Sequence, residues 1–245
     1  MLFSSDRLID LNADVGEGRG EEPLYALITS ANIACGGHAG NEETMHEAVR
    51  LALRHGVAIG AHPSYPDREG FGRVTMNLPP GALSRAIAAQ VDALVQAAES
   101  EGALVTHVKP HGALYADAAS RRDVALAVAS GVASVSAGLV LVGLASSSAL
   151  RVWSEEGFCV AAEGFADRAY ATDRTLVPRT DALALITNPE AAASQAIRLA
   201  GEGLCATICV HADTKGAAMI AAAVRRGLEE AGFVLSALAR RGRGT

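Results

Sequence analysis

The sequence predicts an α/β fold: a seven-stranded parallel β/α barrel, one domain over residues 1–245. Three observations point there. Short apolar stretches alternate with amphipathic helical stretches from end to end, with no low-complexity linker and no break in composition. The length of 245 residues falls where α/β barrels of roughly 200–250 residues commonly form one domain. Polar residues end nearly all the apolar stretches. A barrel gathers ligand groups from every strand, whereas an open doubly wound sheet, which the alternation also fits, concentrates them at one switch point.

The strand candidates are 8–12, 31–35, 57–61, 104–109, 139–144, 159–163 and 206–210. Buried parallel strands normally read as continuous apolar runs. Several of these alternate instead. Ile9 and Leu11 alternate with Asp10, Asn12 and Asp14. Val57, Ile59 and Ala61 share one parity, and Ala58, Gly60 and His62 the other. Thr106 and Val108 oppose His107, Lys109 and His111, and Ile208 and Val210 oppose Thr207, Cys209 and His211. Side chains flip along a strand with period two. The apolar parity therefore faces the helices, and the other parity makes the barrel interior polar at its C-terminal end.

Helices fall between the strands. In the stretch 41–56, Asn41 offers an N-cap, Met45, Val49, Ala52 and Leu53 form a stripe, and Gly56 ends the run. The stretch 79–102 places Leu83, Ile87, Val91, Leu94, Val95 and Ala98 on one face. Asn188 and Pro189 read as cap and first helical residue of the next, and Asp213 as the cap of a last helix that stops near Gly232.

The net charge of −6 argues against a general nucleic-acid or anionic-membrane surface, though a small anionic substrate needs only one local cation. MLFSSDRLID lacks a charged start followed by an apolar stretch, and the longest apolar run, GLVLVGLA at 138–145, is far short of the roughly 18 residues of a membrane span. Cys35, Cys159, Cys205 and Cys209 form no CxxC pair. The expectation is a soluble cytoplasmic protein in a reducing compartment.

Lys109 stands out: it and Lys215 are the only lysines, while arginine is plentiful. A lysine kept between His107 and His111 suggests an ammonium that must be able to lose its proton, which a guanidinium cannot do. Pro110 and Gly112 should turn the chain outward there, towards Leu114 and Tyr115. DLNADVGEGRG at 10–20 carries glycines, but Glu17 sits among them and no GxxxxGK[ST] motif occurs. SANIACGGHAG supplies Asn32, His38 and a cysteine, Cys35, that reads as structural. HPSYPDREGFGR, opened by His62, has the length of a lid. His46 and His55 lie on or just past a helix and read as surface residues; His46-Glu47 begins like HExxH, but Arg50 takes the second ligand position. EGFADRAY brings Glu163, Asp167 and Arg168, an arginine suited to a carboxylate.

Together IDLNADVGE (9–17), SANIACGGHAG (30–40), GVAIGAHPSYPDREGFGR (56–73), HVKPHGALY (107–115), LVLVGLA (139–145), FADRAYATDRTLVPR (165–179) and ICVHADT (208–214) resemble the LamB/YcsF family of 5-oxoprolinase A-subunits. The chain departs from that pattern at Ala13, where cysteine is common, at Gly37, where an aromatic is usual, at Ala212, where glycine is usual, and in a shorter stretch between Glu17 and Ser30. The resemblance implies an irregular seven-stranded, TIM-like β/α barrel related to deacetylase-type barrels. It implies ATP-dependent opening of 5-oxoproline to glutamate, with ADP and phosphate released, in a complex with two further subunits. The chain shows no nucleotide loop, so ATP is expected with or on a partner subunit.

In this reading the catalytic candidates are Asp10 or Asp14 with His62, to orient or deprotonate water, and Lys109 with His111, to stabilise charge on the amide oxygen. Substrate-binding candidates are Asn12, Asn32, His38, Glu163, Arg168, His211 and Asp213, with Arg168 or His211 holding the carboxylate. Two other readings stand beside it. One is a metal-dependent, deacetylase-like amidohydrolase acting alone, for which His107 and His111, four apart, resemble a ligand pair. The other is a non-catalytic lactam-binding subunit. Divalent-metal content and self-association into a homo-oligomer are left open.

Overall fold

Alternating polarity shapes the first strand. In a computed structural model that describes residues 7–18 and 20–238, β1 (Arg7–Val15) buries Ile9, Leu11, Ala13 and Val15 in the apolar core and turns Asp10, Asn12 and Asp14 the other way. The six residues that open the chain, where the sequence predicts no leader, lie outside the described residues.

The elements then follow as α1 (Glu22–Tyr25), β2 (Ser30–Ala34), α2 (Glu42–His55), β3 (Ala58–His62), α3 (Pro80–Ser100), β4 (Val105–Val108), α4 (Gly112–Ser120), α5 (Arg122–Ala133), β5 (Val140–Leu144), α6 (Ser148–Glu155), β6 (Val160–Phe165), α7 (Pro189–Gly201), β7 (Thr207–His211), α8 (Ala217–Glu230) and β8 (Phe233–Leu235). Each strand is parallel to its neighbours in the order β2-β3-β4-β5-β6-β7-β1, and β1 pairs back with β2, which closes a seven-stranded barrel. The expected barrel, rather than an open sheet, is what forms. β8 is a strand the alternation did not reveal. It pairs with Arg7–Ile9, at the foot of β1, below the closed ring.

The helices lie outside, and the apolar core fills the layer between them and the strands. α2 begins as the sequence indicates. Asn41 accepts from the Thr44 amide, the Thr44 hydroxyl accepts from the Asn41 amide, and Gly56 ends the helix at φ 67°. Its buried stripe is Met45, Ala48, Val49 and Ala52; Leu53 is exposed instead. α7 is capped by Asn188 and starts at Pro189. α8 begins later than expected, behind Gly216, and Asp213 does not cap it. Asp213 is instead held by Arg73 and Arg179.

α3 buries Gln90 along with Leu83, Ile87, Val91, Leu94 and Ala98 of the face predicted for it; Val95 is only partly buried. The Gln90 amide donates to Ser64 O and accepts from Ser64 N, each at 2.9 Å. Arg68 donates to Gly36 O at 3.0 Å and Gly40 O at 2.8 Å. The loop after β3 is therefore pinned across the end of the barrel as a fixed cover. Cys35 is buried and its thiol is pushed up to about 12, the state of an inert structural cysteine. Among the described residues, no helix is long and apolar enough to cross a membrane.

Candidate active site

The inward parity builds a polar column from the foot of the barrel to its mouth. Asp10 lies lowest and is fully buried; it accepts from Thr29 Oγ1 at 2.6 Å, Ser30 Oγ at 2.7 Å and Thr207 Oγ1. Hydroxyls meet its carboxylate from three sides, so Asp10 organises the closed end and does not line the cavity above.

One level up, the Asn12 amide donates to Thr207 Oγ1 at 2.6 Å and Glu163 Oε1 at 3.0 Å. Asn32 Nδ2 donates to Asn12 Oδ1 and Asp14 Oδ1, both at 2.8 Å. His107 packs over Gly60, where any Cβ would collide with its ring, and hydrogen-bonds to Asn32 Oδ1 at 3.0 Å. Burial, then the nearby Lys109 charge, pull the His107 pKa down to about 3, so this ring stays neutral. His107 and His111 do not converge, and the ligand pair suggested by their spacing is not formed.

Lys109 occupies the centre. Its ammonium lies 2.8 Å from Asp14 Oδ1, 2.9 Å from Glu163 Oε1 and 3.1 Å from Cys209 Sγ. Burial opposes the charge, but Asp14, Cys209 and Glu163 overcome it and hold the pKa well above the ordinary lysine value. Against the expectation of an ammonium that gives up its proton, Lys109 lies between two buried carboxylates, which favour its charged form. Glu163 Oε2 takes a further bond from Tyr115 OH at 2.7 Å. Gly112 does turn the chain, at φ 53°, but straight into α4, which brings Tyr115 back over the barrel rather than outward.

At the mouth, histidines surround the upper carboxylates. His62 Nδ1 donates to Lys109 O at 2.7 Å, and its Nε2 lies 3.4 Å from Asp14 Oδ2 and 3.0 Å from His111 Nδ1. His111 Nε2 donates to Phe71 O at 3.0 Å. Glu17 Oε1 is 2.8 Å from His38 Nε2, 3.2 Å from His111 Nδ1 and 3.7 Å from His62 Nε2. Across the mouth, the Asp167 carboxylate takes His211 Nδ1 at 2.9 Å, the His211 amide at 3.0 Å and Thr214 Oγ1 at 2.7 Å. The other ring nitrogen, His211 Nε2, points towards the cavity and lies 4.0 Å from Asp14 Oδ2.

A cavity of about 370 Å³ opens over Asp14, His62, Lys109, His111 and His211, with Arg73, Arg168 and Arg179 at its rim. Arg168 donates to Val177 O at 2.7 Å, while its buried Nε has no partner. Asp213 binds Arg179 at 2.8 Å and also Arg73, so it ties the rim together from outside the cavity. A larger cavity of about 710 Å³ lies between the loop after β1 and α2, and only Glu17 of the site reaches it.

Asp14, His62, Lys109, His111, Arg168 and His211 thus meet in one cavity, with Asn12, Asn32 and Glu163 directly behind it and His38 beside Glu17. Asp10 and Asp213 stand apart, below and outside. Glu17, Tyr115, Arg73 and Arg179 belong to the site although sequence reasoning gave them no role. Parity could not place Glu17, because Gly16 at φ 76° breaks the strand geometry before it.

Fold and site define a class: a parallel β/α-barrel protein with a cavity at the C-terminal ends of its strands, acidic and basic at the floor and cationic at the rim. The chain belongs to the LamB/YcsF family, whose model matches residues 9–242. It is 44% identical to the 5-oxoprolinase A-subunit of Methylococcus capsulatus, over 95% of this chain and 96% of that protein. Among solved structures it matches a lactam utilization protein from Thermus thermophilus, with TM-score 0.87, 40% identity, and 94% and 99% of the two chains covered. A family 4 carbohydrate esterase from Streptomyces lividans, at TM-score 0.52 and 15% identity over 96% and 94% of the chains, shares the fold alone.

Proposed function

We propose that this chain is the lactam-binding, hydrolytic component of an ATP-dependent 5-oxoprolinase, working with two partner subunits in the cytoplasm. The observation that carries the reading is one cavity that places His211, fixed by Asp167, beside Asp14 and its Lys109 partner, beneath an arginine rim. The names of the homologue and of the solved structure point to the same substrate class.

A five-membered lactam is an unactivated amide. Opening it needs water added at the carbonyl carbon, cleavage of the C–N bond and a proton delivered to the leaving nitrogen. Phosphorylation of the amide oxygen by ATP makes the carbon more electrophilic, and phosphate then leaves; lactam, ATP and two waters give glutamate, ADP and phosphate. The chain has no phosphate loop, so a partner is assigned that transfer. Here Arg168, whose Nε lacks a partner, and Arg179 receive the carboxylate or phosphate. His211 Nε2 and Asp14 hold the attacking water and take its proton. Burial opposes the ionised form of Asp14, but His62 and the Lys109 ammonium, 2.8 Å away, favour it.

The test is reconstitution with the partner subunits and measurement of 5-oxoproline-dependent glutamate and ADP release. His211→Gln should lower turnover by about 10²–10⁴-fold, with 5-oxoproline binding retained in calorimetry. Unchanged turnover would sink the proposal.

A further inference from the structure

His62 Nδ1 and His111 Nε2 each face a backbone carbonyl, Lys109 O and Phe71 O. A carbonyl can only accept, so both of these ring nitrogens carry the proton. In neutral rings the opposite nitrogens, His62 Nε2 and His111 Nδ1, are then bare lone pairs. They point at each other across 3.0 Å. The same His111 lone pair lies 3.2 Å from the Glu17 carboxylate, and that of His62 lies 3.7 Å from it. Three acceptor atoms therefore converge in a buried setting, with Asp14 Oδ2 a further 3.4 Å from His62 Nε2. Such a meeting calls for a cation, either a proton on His62, opposed by burial but favoured by Asp14 and Glu17, or a metal ion.

We propose that Glu17 Oε1, His62 Nε2 and His111 Nδ1 form the site of one divalent transition-metal ion of the Zn²⁺ class. Bonds of about 2.0–2.2 Å to nitrogen and carboxylate oxygen set tetrahedral ligand atoms roughly 3.3 Å apart. The three separations, 3.0, 3.2 and 3.7 Å, bracket that spacing. The carbonyls are the outer partners that metal-bound imidazoles require. Two nitrogens and one carboxylate oxygen suit a borderline ion better than Mg²⁺ or Ca²⁺.

His38 also reaches Glu17 Oε1, yet it is not a ligand. Its ring lies parallel to that of His111, 3.6 Å away with 2° between the planes. Two stacked rings cannot aim in-plane lone pairs at one ion. His38 Nε2 instead donates to Glu17 and sets its carboxylate. A three-ligand site leaves a position open, and His62 and His111 both line the cavity.

Ion binding at this site does not depend on the lactam reading, and its test needs no substrate. The full-length chain, stripped with a chelator and free of any affinity tag, is titrated with Co²⁺ in calorimetry and visible spectroscopy. The expected result is one equivalent, with d–d bands, no thiolate charge-transfer band, and displacement by Zn²⁺. Glu17→Gln and His111→Gln should each weaken binding by about tenfold or more. Three results overturn the proposal: no binding above the buffer blank, which leaves a shared proton as the occupant; a thiolate band, which moves the ion to the Asp14, Cys209 and His211 group; or wild-type affinity in both variants. Should either variant fail to fold, the wild-type stoichiometry and spectrum decide alone.

Discussion

At the scale of single residues, Lys109 shows how a buried cation differs from a titrating one. Its side chain is 2% exposed and that of Glu163 is fully buried. Lys109→Met would leave Asp14 and Glu163 facing each other without their counter-charge, at a cost of about 3–5 kcal/mol in urea unfolding. Adding Glu163→Gln should recover part of that loss; a double variant no better than the single would mean the pair is not coupled. The sequence made Lys109 conspicuous by the scarcity of lysine and placed it inward by parity. It did not disclose what favours the charged form, because that depends on carboxylates 95 residues away in β1 and, for Glu163, on another strand altogether. Asp14, His62 and His211 were legible for the same reason as Lys109: each continues the inward parity of its strand. Tyr115 was not, since its approach to Glu163 is set by the α4 axis and not by alternation.

At the scale of elements, local signals located what they govern. The Asn41 cap with the Gly56 stop and the Asn188–Pro189 start marked α2 and α7. α4 was harder, because Pro110 and Gly112 read as an outward turn although a helix follows immediately, and α8 was found but starts behind Gly216 rather than at an Asp213 cap. β8 is three residues long and carries no period to detect. The loop after β3 is the element on which the histidine cluster depends. Gly72 has φ 63°, and a Cβ there would come within 2.9 Å of His38 Cβ and 3.1 Å of His111 Cδ2. Gly72→Ala should therefore cost about 1–2 kcal/mol from the left-handed backbone alone and more from the collision. Thermal melts check the first part. The His38 and His111 ring resonances in NMR check the second, since they should shift while those of His46, on α2, stay in place.

At the scale of the whole molecule, closure of the ring brings together groups that no short segment could supply. Acid stability reports on this. The Asp167 carboxyl is held below its ordinary value: burial pushes it up, but the His211 and Thr214 bonds more than offset that. The Arg179 and Arg73 partners act alike on Asp213. A carboxyl depressed in the folded state stabilises the fold above its unfolded pKa, and that contribution is lost as pH falls through the folded value. Urea midpoints should therefore drop with acidification below the usual carboxylate range. Asp167→Asn should flatten that acid limb and lower the midpoint at neutral pH; an unchanged profile would remove Asp167 from the account. The barrel itself was legible, because seven alternating units with polar strand ends suit few other layouts. The polar column inside has a consequence for biosynthesis. Asp10 leaves the ribosome early, yet Thr207, which donates to one of its oxygens, lies 197 residues further on. A nascent chain cannot complete the hydroxyl ring around that carboxylate until nearly all of it has been made. Closure before Thr207 arrives would lack one of the hydroxyls that meet this buried carboxylate, which disfavours a near-native trap in truncated products.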